Sequence, residues 1–477
     1  MKMIPHGRPS VKCNLEDSGN PASPGGAQAA LPGGSVARQV LRVALPSMLA
    51  MLASSLCALL DALLLGRHNA AAAAAVSVGF PLLTMIQTIG FTLGMGAGSV
   101  VSRSLGAGER AAACQASSCA LGLALLLSVG LGVPALCLAA PLVRLLGADD
   151  AILPLAAAYA RCVLTSGPML CANLVLTSLL RAQGLAMPNL IAFGTGALTG
   201  GALQLALIPR MGVLGSGLAM LAREAATLLA LLLTLRRSPG LIRPHPARLA
   251  QNLCALVPIL RFGLPTLLRQ GLMSASGVLL SRVSAGFGEA ALAGIGLSVR
   301  ALSLVTAAAI GFGQGFQPVC GFAAGSGRLE LAAQAYRLCM RCIVIGLAAV
   351  GALLFGLADV LLLPFQPAPE VAAVAVRALR AQSVVLFAQG AVILMNMLTQ
   401  ALGMTVRASV VATSRQGFVL IPLLLLLPRL FGLTGLILCQ SVSDVLSLGL
   451  CVLITRPAIR RCACAPSGCS DARTASR

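Results

Sequence analysis

Two stretches of the chain, GFTLGMGAGSVVSRSLGAG at residues 90–108 and AIGFGQGFQPVCGFAAGSG at residues 309–327, space their glycines alike in an apolar background. They belong to a longer repeat, because residues 42–108 align with residues 261–327 without a gap, 219 positions apart. An apolar chain with an internal duplication is typical of a transporter with two lobes and a site between them.

The composition of the whole chain indicates a membrane protein. Of its 477 residues, 58% are hydrophobic and only 10% are charged, which is far from the average for a soluble domain. The net charge of +21 could suggest nucleic-acid binding. However, the arginines lie between apolar runs rather than in one patch, with two Tyr and no Trp to stack on bases. We therefore expect the bilayer, and not nucleic acid, as the partner.

The apolar runs predict an all-α, polytopic membrane protein with twelve transmembrane helices, at roughly 20 residues per span. An even number of spans in each half makes both halves enter the membrane from the same side. The two six-helix bundles are then related by a pseudo-twofold axis along the membrane normal. The predicted spans are 41–65, 74–97, 115–140, 159–180, 188–208 and 213–235, followed by 262–284, 291–318, 338–358, 381–401, 410–428 and 432–454.

The domain organisation follows from these spans. Residues 1–37 are predicted to be a disordered cytoplasmic tail, 38–236 the N-lobe, 237–254 a cytoplasmic linker, 255–456 the C-lobe and 457–477 a second cytoplasmic tail. Most Lys and Arg outside the spans fall on one side, including the arginine-rich linker. The positive-inside rule therefore places both termini in the cytoplasm. A monomer in the cell membrane, the inner membrane of a bacterium, is expected.

Charges within the spans are costly in a bilayer and are candidates for function. Asp61 lies about one turn from the outer end of the first span. It is either hydrated there or held in a cavity, where it can accept a proton or bind a cation. Arg223 and Glu224 are consecutive, so we expect them not to face each other on a helix. Asp444 is expected to pair with an arginine inside a span, such as Arg269, either as machinery or as a structural ion pair.

Further polar residues of the second half are candidates for a substrate cavity. They share positions inside spans where amides, guanidinium groups or an adaptable methionine could contact a ligand. Packing between helices is the alternative role for the glutamines. The candidates are Arg269, Gln270, Met273, Arg300, Gln314, Gln317, Arg415, Gln440 and Asp444.

Several kinds of chemistry find no support in the sequence. The 16 cysteines are mostly isolated in apolar spans, and the pair Cys339 and Cys342 has no second pair of ligands to complete a zinc site. The three histidines are dispersed, and no Walker A lysine is present. We expect no metal, no cofactor and no enzymatic activity, and an ion gradient as the source of energy.

Longer motifs resemble the multidrug and toxic compound extrusion (MATE) family. In the first half they are Leu60–Arg67 (LDALLLGR), Ser102–Glu109 (SRSLGAGE) and Leu180–Gly184 (LRAQG). In the second half the resemblance is closer and involves Leu264–Ser274 (LPTLLRQGLMS), Gly313–Pro318 (GQGFQP), and the series Arg415-Gln416-Gly417, Pro422, Pro428, Gly432, Gln440 and Asp444. The resemblance covers roughly residues 38–456.

The resemblance implies an antiporter that exports amphipathic, often cationic compounds in exchange for H⁺ or Na⁺ by alternating access, with Asp61 as the ion-coupling residue. One departure concerns the fifth span, where many members have an Asn and an Asp that help to build the ion site. Gly200 and Gln204 occupy these positions here. Asp61 is therefore expected to lack its usual partners, which favours H⁺ over Na⁺. The alternative is a flippase for a lipid-linked oligosaccharide. This alternative would be favoured if Arg269 and Arg300 lined one cavity.

Overall fold

The structure is a computed structural model that describes residues 36–68, 70–238, 242–244, 250–362 and 368–463. These residues form helices joined by turns, with no strand among them. The helices are α1 Val36–His68, α2 Ala70–Gly106, α3 Arg110–Cys137, α4 Ala139–Leu145, α5 Leu153–Ala182, α6 Ala186–Met211, α7 Val213–Arg237, α8 Leu256–Ala285, α9 Glu289–Gly325, α10 Leu329–Gly356, α11 Ala358–Leu362, α12 Pro369–Val384, α13 Leu386–Ala401, α14 Thr405–Thr413 and α15 Leu420–Ala463.

Twelve helical crossings of a bilayer can be traced through the described chain. Ten stretches are long and apolar enough, and α12 with α13 forms an eleventh, bent by 55°. One of the ten, Thr405–Pro457, has 53 residues. A straight helix of that length would reach about 80 Å, against a hydrocarbon core of about 30 Å. It breaks at Gly432, where φ is 56° and ψ is −138°, so it provides two crossings. The predicted all-α fold with twelve membrane helices is confirmed.

The predicted ends of the chain are only partly described. Residues 1–35 lie outside the described residues, and α1 already begins at Val36, within the predicted tail. At the other end, α15 continues to Ala463, so the last helix extends beyond the boundary predicted at residue 456. The linker is described only in part, and the predicted domain boundaries otherwise stay predictions.

The duplication is visible in the backbone as well as in the sequence. Gly212 separates α6 from α7 with φ 55°, and Gly432 breaks α15 with φ 56°, a left-handed conformation that favours glycine. The helices α3 and α10 end alike, with φ −99° and ψ 16° at Leu138 and φ −100° and ψ 15° at Leu357. A short helix, α4 or α11, follows each of these two breaks. The two halves therefore repeat the same irregularities, 220 positions apart at the glycines and 219 apart at the leucines.

Glycines allow the backbones of the two lobes to touch. A Cβ atom added to Gly325 would lie 2.0 Å from the carbonyl oxygen of Arg103, and one added to Gly106 would lie 2.2 Å from that of Phe322. Arg103 and Phe322 are themselves 219 positions apart. The two contacts are thus exchanged when the lobes are exchanged, which is the predicted pseudo-twofold relation.

The same symmetry relates a second pair of contacts, one between α1 and α9 and the other between α2 and α8. Gly315 of α9 packs on Ala44 of α1, with a virtual Cβ 2.4 Å from the Cα atom of Ala44. The positions equivalent to Gly315 and Ala44 are Gly96 of α2 and Gly263 of α8. A Cβ on Gly96 would lie 3.1 Å from the backbone nitrogen of Gly263 and 2.2 Å from the carbonyl oxygen of Ile259. All these contacts lie within about 21 Å of the end at which α1 and α8 begin and α2 and α9 end. We call this contact between α1, α2, α8 and α9 the seam.

Replacing a seam glycine should loosen the contact between the lobes. The methyl group of Gly325→Ala has no room beside the Arg103 carbonyl, so we expect it to disfavour the closed seam by about 1–3 kcal/mol. The side chains of Ser99 and Gln317 meet across the seam, so both positions can be changed to cysteine in a variant without other cysteines. A short bifunctional thiol reagent should then bridge the two cysteines more slowly when Gly325→Ala is present. Gly130→Ala, with no atom within 4 Å of the added carbon, is the control. Equal bridging rates would contradict the seam.

Candidate functional site

Asp61 lies in the N-lobe where α1, α6 and α7 meet. Its Oδ1 atom accepts a hydrogen bond of 2.7 Å from Ser216 Oγ and one of 3.3 Å from Gln204 Nε2. Asp61 was expected to lack its usual partners, and a serine and an amide donate to it in their place. Gln204 was noted only as a substitution, and nothing in the sequence singled out Ser216.

A tight helical hairpin places these two donors. The turn between α6 and α7 is centred on Gly212, and just beyond it a Cβ on Gly215 would lie 2.5 Å from the carbonyl oxygen of Leu207. This close approach brings the beginning of α7, with Ser216, next to the last turns of α6, with Gln204. Gln204 is 3% exposed and Ser216 is 1% exposed, so both amide and hydroxyl are held away from bulk solvent.

Arg223 occupies the space above Gly200. A Cβ on Gly200 would lie 2.9 Å from Cβ and 3.1 Å from Cγ of Arg223, so only glycine leaves room for this side chain. The guanidinium group donates to Glu224 Oε1 from Nη2 at 2.9 Å and from Nε at 3.1 Å. The expectation that Arg223 and Glu224 do not face each other is wrong, because the long arginine side chain bends back across the angle between consecutive residues.

This ion pair has further partners on both sides. Asn173 of α5 donates to Glu224 Oε2 at 2.9 Å and to the Glu224 carbonyl oxygen at 3.0 Å. The charge of Arg223 also acts on Asp61. Asp61, Arg223 and Glu224 thus form one connected charge system, with two carboxylates and one guanidinium group.

The C-lobe contains a second charged centre. Asp444 of α15, 1% exposed, is paired with Nε of Arg415 in the π-helical turn Ser414–Phe418. Asp444 was expected to pair with an arginine inside a span, such as Arg269, and its observed partner is Arg415. Ser443 Oγ donates to the Arg415 carbonyl oxygen at 2.8 Å, which anchors the turn to α15. The wide π turn leaves backbone groups without regular helical partners, and such turns are frequent at functional sites.

A small cavity lies beside this ion pair. It has a volume of about 20 Å³, room for about one water molecule. Three of the predicted candidates, Arg415, Gln440 and Asp444, lie together in its wall. The lining residues are Arg415, Gln416, Leu420, Gln440, Ser443 and Asp444.

Arg269 belongs to the same centre. It lies on α8 about 60° around the helix from Leu272, which packs on Gly417 of the π turn. The charges of Arg269 and Arg415 repel each other. Arg300, by contrast, is exposed on α9. Arg269 therefore has Arg415 as its neighbouring arginine and not Arg300, whose presence in the same cavity would favour a flippase.

The glutamines of α9 lie elsewhere. Gln317 Nε2 donates to Ser99 Oγ across the seam at 2.9 Å and to Gln400 Oε1 at 3.2 Å, so Gln317 connects the lobes and does not line the cavity at Asp444. Gln314 and Gln270 are buried, 2% and 7% exposed, and Met273 is 38% exposed on α8. The structure therefore places Arg415, Gln440 and Asp444 in the wall of one cavity and Gln317 at the seam.

The described residues contain no group of three or more His, Cys, Asp and Glu side chains that could hold a metal ion.

Fold and charged centres together define a polytopic membrane transporter made of two homologous six-helix lobes. The family model named MatE matches residues 46–204 and 265–426, which is most of the chain. The chain belongs to the MatE family, and it is a transporter of the cell membrane and not an enzyme.

Individual relatives agree with this assignment. The multidrug export protein MepA of Staphylococcus saprophyticus is 23% identical over 415 residues, covering 86% of this chain and 92% of the relative. MepA of Staphylococcus aureus is 24% identical over 420 residues, covering 86% and 91%. Among solved structures, an outward-facing multidrug resistance MATE transporter has a TM-score of 0.85 at 23% identity, covering 93% of this chain and 99% of that one.

A second solved structure, a MOP superfamily transporter from Pyrococcus furiosus, also has a TM-score of 0.85 at 23% identity, again covering 93% of this chain and 99% of that one. These likenesses concern the fold. The roles of Asp61 and of the C-lobe candidates stay predictions.

Removing one member of the buried ion pair should be strongly destabilising. Asp444→Asn leaves the Arg415 guanidinium group without a counter-charge, and we expect a loss of about 3–5 kcal/mol in the free energy of unfolding. Combining Asp444→Asn with Arg415→Gln should recover much of this loss, because no unpaired charge remains. Thermal unfolding in detergent measures the effect.

The matched control is the exposed pair Asp359 and Arg380, where Asp359→Asn should cost about 1 kcal/mol or less. If Asp444→Asn proved as mild as Asp359→Asn, the Arg415–Asp444 pair would have no structural importance.

Proposed function

We propose that this protein exports amphipathic, often cationic organic compounds in exchange for H⁺, by alternating access of its two lobes. Membership of the MatE family and the relatives named multidrug export proteins support the export of drugs. The observation that carries the coupling is Asp61, a carboxylate within a membrane span, held between three helices by Ser216 and Gln204. The substrate and the coupling ion pass through the protein and are not resident cofactors.

The choice of H⁺ over Na⁺ rests on the ligands that Asp61 lacks. A sodium ion needs several oxygen ligands, and Gly200 in the fifth span offers no side-chain oxygen. Ser216 and Gln204 both meet the carboxylate with donor groups. A proton needs only the carboxylate itself. Protonation removes the negative charge, which weakens the hydrogen bonds from Ser216 and Gln204.

The helix α1 can carry this change to the contact between the lobes. Asp61 lies about 14 residues beyond Ser47, where the same helix packs on Gly311 of α9. When the contacts of Asp61 with α6 and α7 change, α1 is free to shift at the seam, which alters the relative free energies of the two access states. Drug and proton then compete because each binds one of these states better than the other.

The remaining proposals concern the orientation of the protein in the membrane, its oligomeric state and the alternative function. Both termini lie in the cytoplasm by the distribution of arginines, the seam is then the cytoplasmic closure, and the cleft opens outward. The transporter acts as a monomer, since each chain contains both lobes. Twelve crossings and an exposed Arg300 leave the flippase alternative without a supporting observation.

Efflux of ethidium from cells without their main drug pumps tests the function directly. Cells expressing the protein should retain less ethidium, and Asp61→Asn should abolish most of this efflux, because the amide cannot exchange a proton. Asp150→Asn, which changes an exposed carboxylate of the same lobe, is the control and should leave efflux unchanged. Normal efflux by a well-expressed Asp61→Asn variant would remove Asp61 from the mechanism. No efflux by the unaltered chain would favour the flippase.

The coupling ion can be separated from the drug in reconstituted vesicles. A proton gradient alone should drive dye transport, and replacing Na⁺ with choline should change the rate less than about twofold. Dissipating the proton gradient at constant Na⁺ should stop net transport. Transport that follows an imposed Na⁺ gradient when the proton gradient is collapsed would overturn the choice of H⁺.

A further inference from the structure

The two charged centres carry opposite excess charges. In the N-lobe, Arg223 pairs with Glu224 and leaves Asp61 as the additional charge, which is negative. In the C-lobe, Arg415 pairs with Asp444 and leaves Arg269 as the additional charge, which is positive. The C-lobe centre is therefore unsuited to a cationic group and suited to an anionic one.

Arg269 has no counter-charge in the part of the chain that the structure describes. No described carboxylate lies within 4.0 Å of its guanidinium group, and Asp444 is already paired with Arg415. Arg269 lies about one turn after Pro265, well inside α8, and it is not an exposed residue. The neighbouring charge of Arg415 adds repulsion. An isolated guanidinium group in such a place is destabilising unless an anion binds it.

The surroundings are prepared for such an anion. Across the π turn, the cavity beside Asp444 is lined by Gln416 and Gln440, whose amide groups can donate hydrogen bonds. On α8 itself, Met273 follows Arg269 by one turn on the same face and is 38% exposed, so it offers an adaptable apolar surface beside the charge. An acidic group attached to an apolar body fits both features.

We propose that the exported amphiphile carries a carboxylate and that Arg269 binds this carboxylate in the C-lobe. This inference rests on the proposed export function and names its substrate class. A guanidinium group holds a carboxylate through two parallel hydrogen bonds, which an ester or amide of the same compound cannot accept as strongly. A basic group on the same substrate is directed toward the N-lobe, where Asp61 provides the opposite charge.

A pair of dyes that differ only at this group provides the test. Rhodamine 110 has a free carboxylate, and rhodamine 123 is its methyl ester. Purified protein should bind the acid about tenfold more tightly than the ester, as measured by fluorescence polarisation, since a charge-assisted hydrogen bond contributes at least that much. Arg269→Gln should reduce the affinity for the acid to that for the ester and leave the affinity for the ester within about twofold.

Two further variants separate binding from folding. Arg269→Lys keeps the charge and should retain part of the preference for the acid. Arg282→Gln removes an exposed arginine from the end of the same helix and should retain all of it. The measurements are repeated in chloride-free buffer. A preference that appears only without chloride would assign the site to a small inorganic anion and overturn the proposal.

Equal binding of acid and ester by the unaltered protein would overturn the proposal as well. This failure differs from failure of the proposed function, which ethidium efflux reports. A protein that exports ethidium through Asp61 and binds both dyes equally is a drug exporter without a carboxylate site at Arg269. A protein that prefers the acid but exports no dye binds carboxylates without the proposed transport.

Discussion

A charge in the interior of a bilayer is stable only when another part of the protein, a ligand or a proton compensates it, and this constraint organises the molecule. Four charges within the spans are compensated in two ion pairs, Arg223 with Glu224 and Arg415 with Asp444. Two more, Asp61 and Arg269, have no such partner among the described residues. The first has hydrogen-bond donors that leave its charge uncompensated, which suits a proton, and the second leaves a place for an anion. The uncompensated charges thus indicate where the transported species interact.

The duplication explains how one fold holds both charged centres. Two copies of one bundle, related by a pseudo-twofold axis, present equivalent surfaces to the space between them, and glycines such as Gly106 and Gly325 let their backbones meet at one end. The lobes have the same frame but different side chains, since Leu280 stands at the C-lobe position of Asp61. One fold therefore supplies two chemically different walls for a single cleft.

Much of this could be predicted from the sequence, because membrane spans, repeats and helix-breaking glycines are local or periodic features. The twelve crossings, the twofold relation and the isolation of Asp61 within a span followed from such features. The partners of the charges did not. Ser216 reaches Asp61 only because the hairpin at Gly212 folds α7 back on α6. Arg223 reaches Glu224 through a bend of its side chain that helical geometry alone does not suggest.

Under the proposed assignments, the opposite charges of the two centres also couple the proton to the drug. While Asp61 is ionised, the cleft has a negative wall and a positive wall, and it attracts both ends of a zwitterionic amphiphile. A proton on Asp61 leaves Arg269 as the uncompensated charge, so the basic end of the substrate is repelled through a medium of low dielectric constant. Proton binding thus weakens drug binding without any contact between the two. By linkage, drug binding must weaken proton binding equally, and this reciprocal effect is the requirement for exchange.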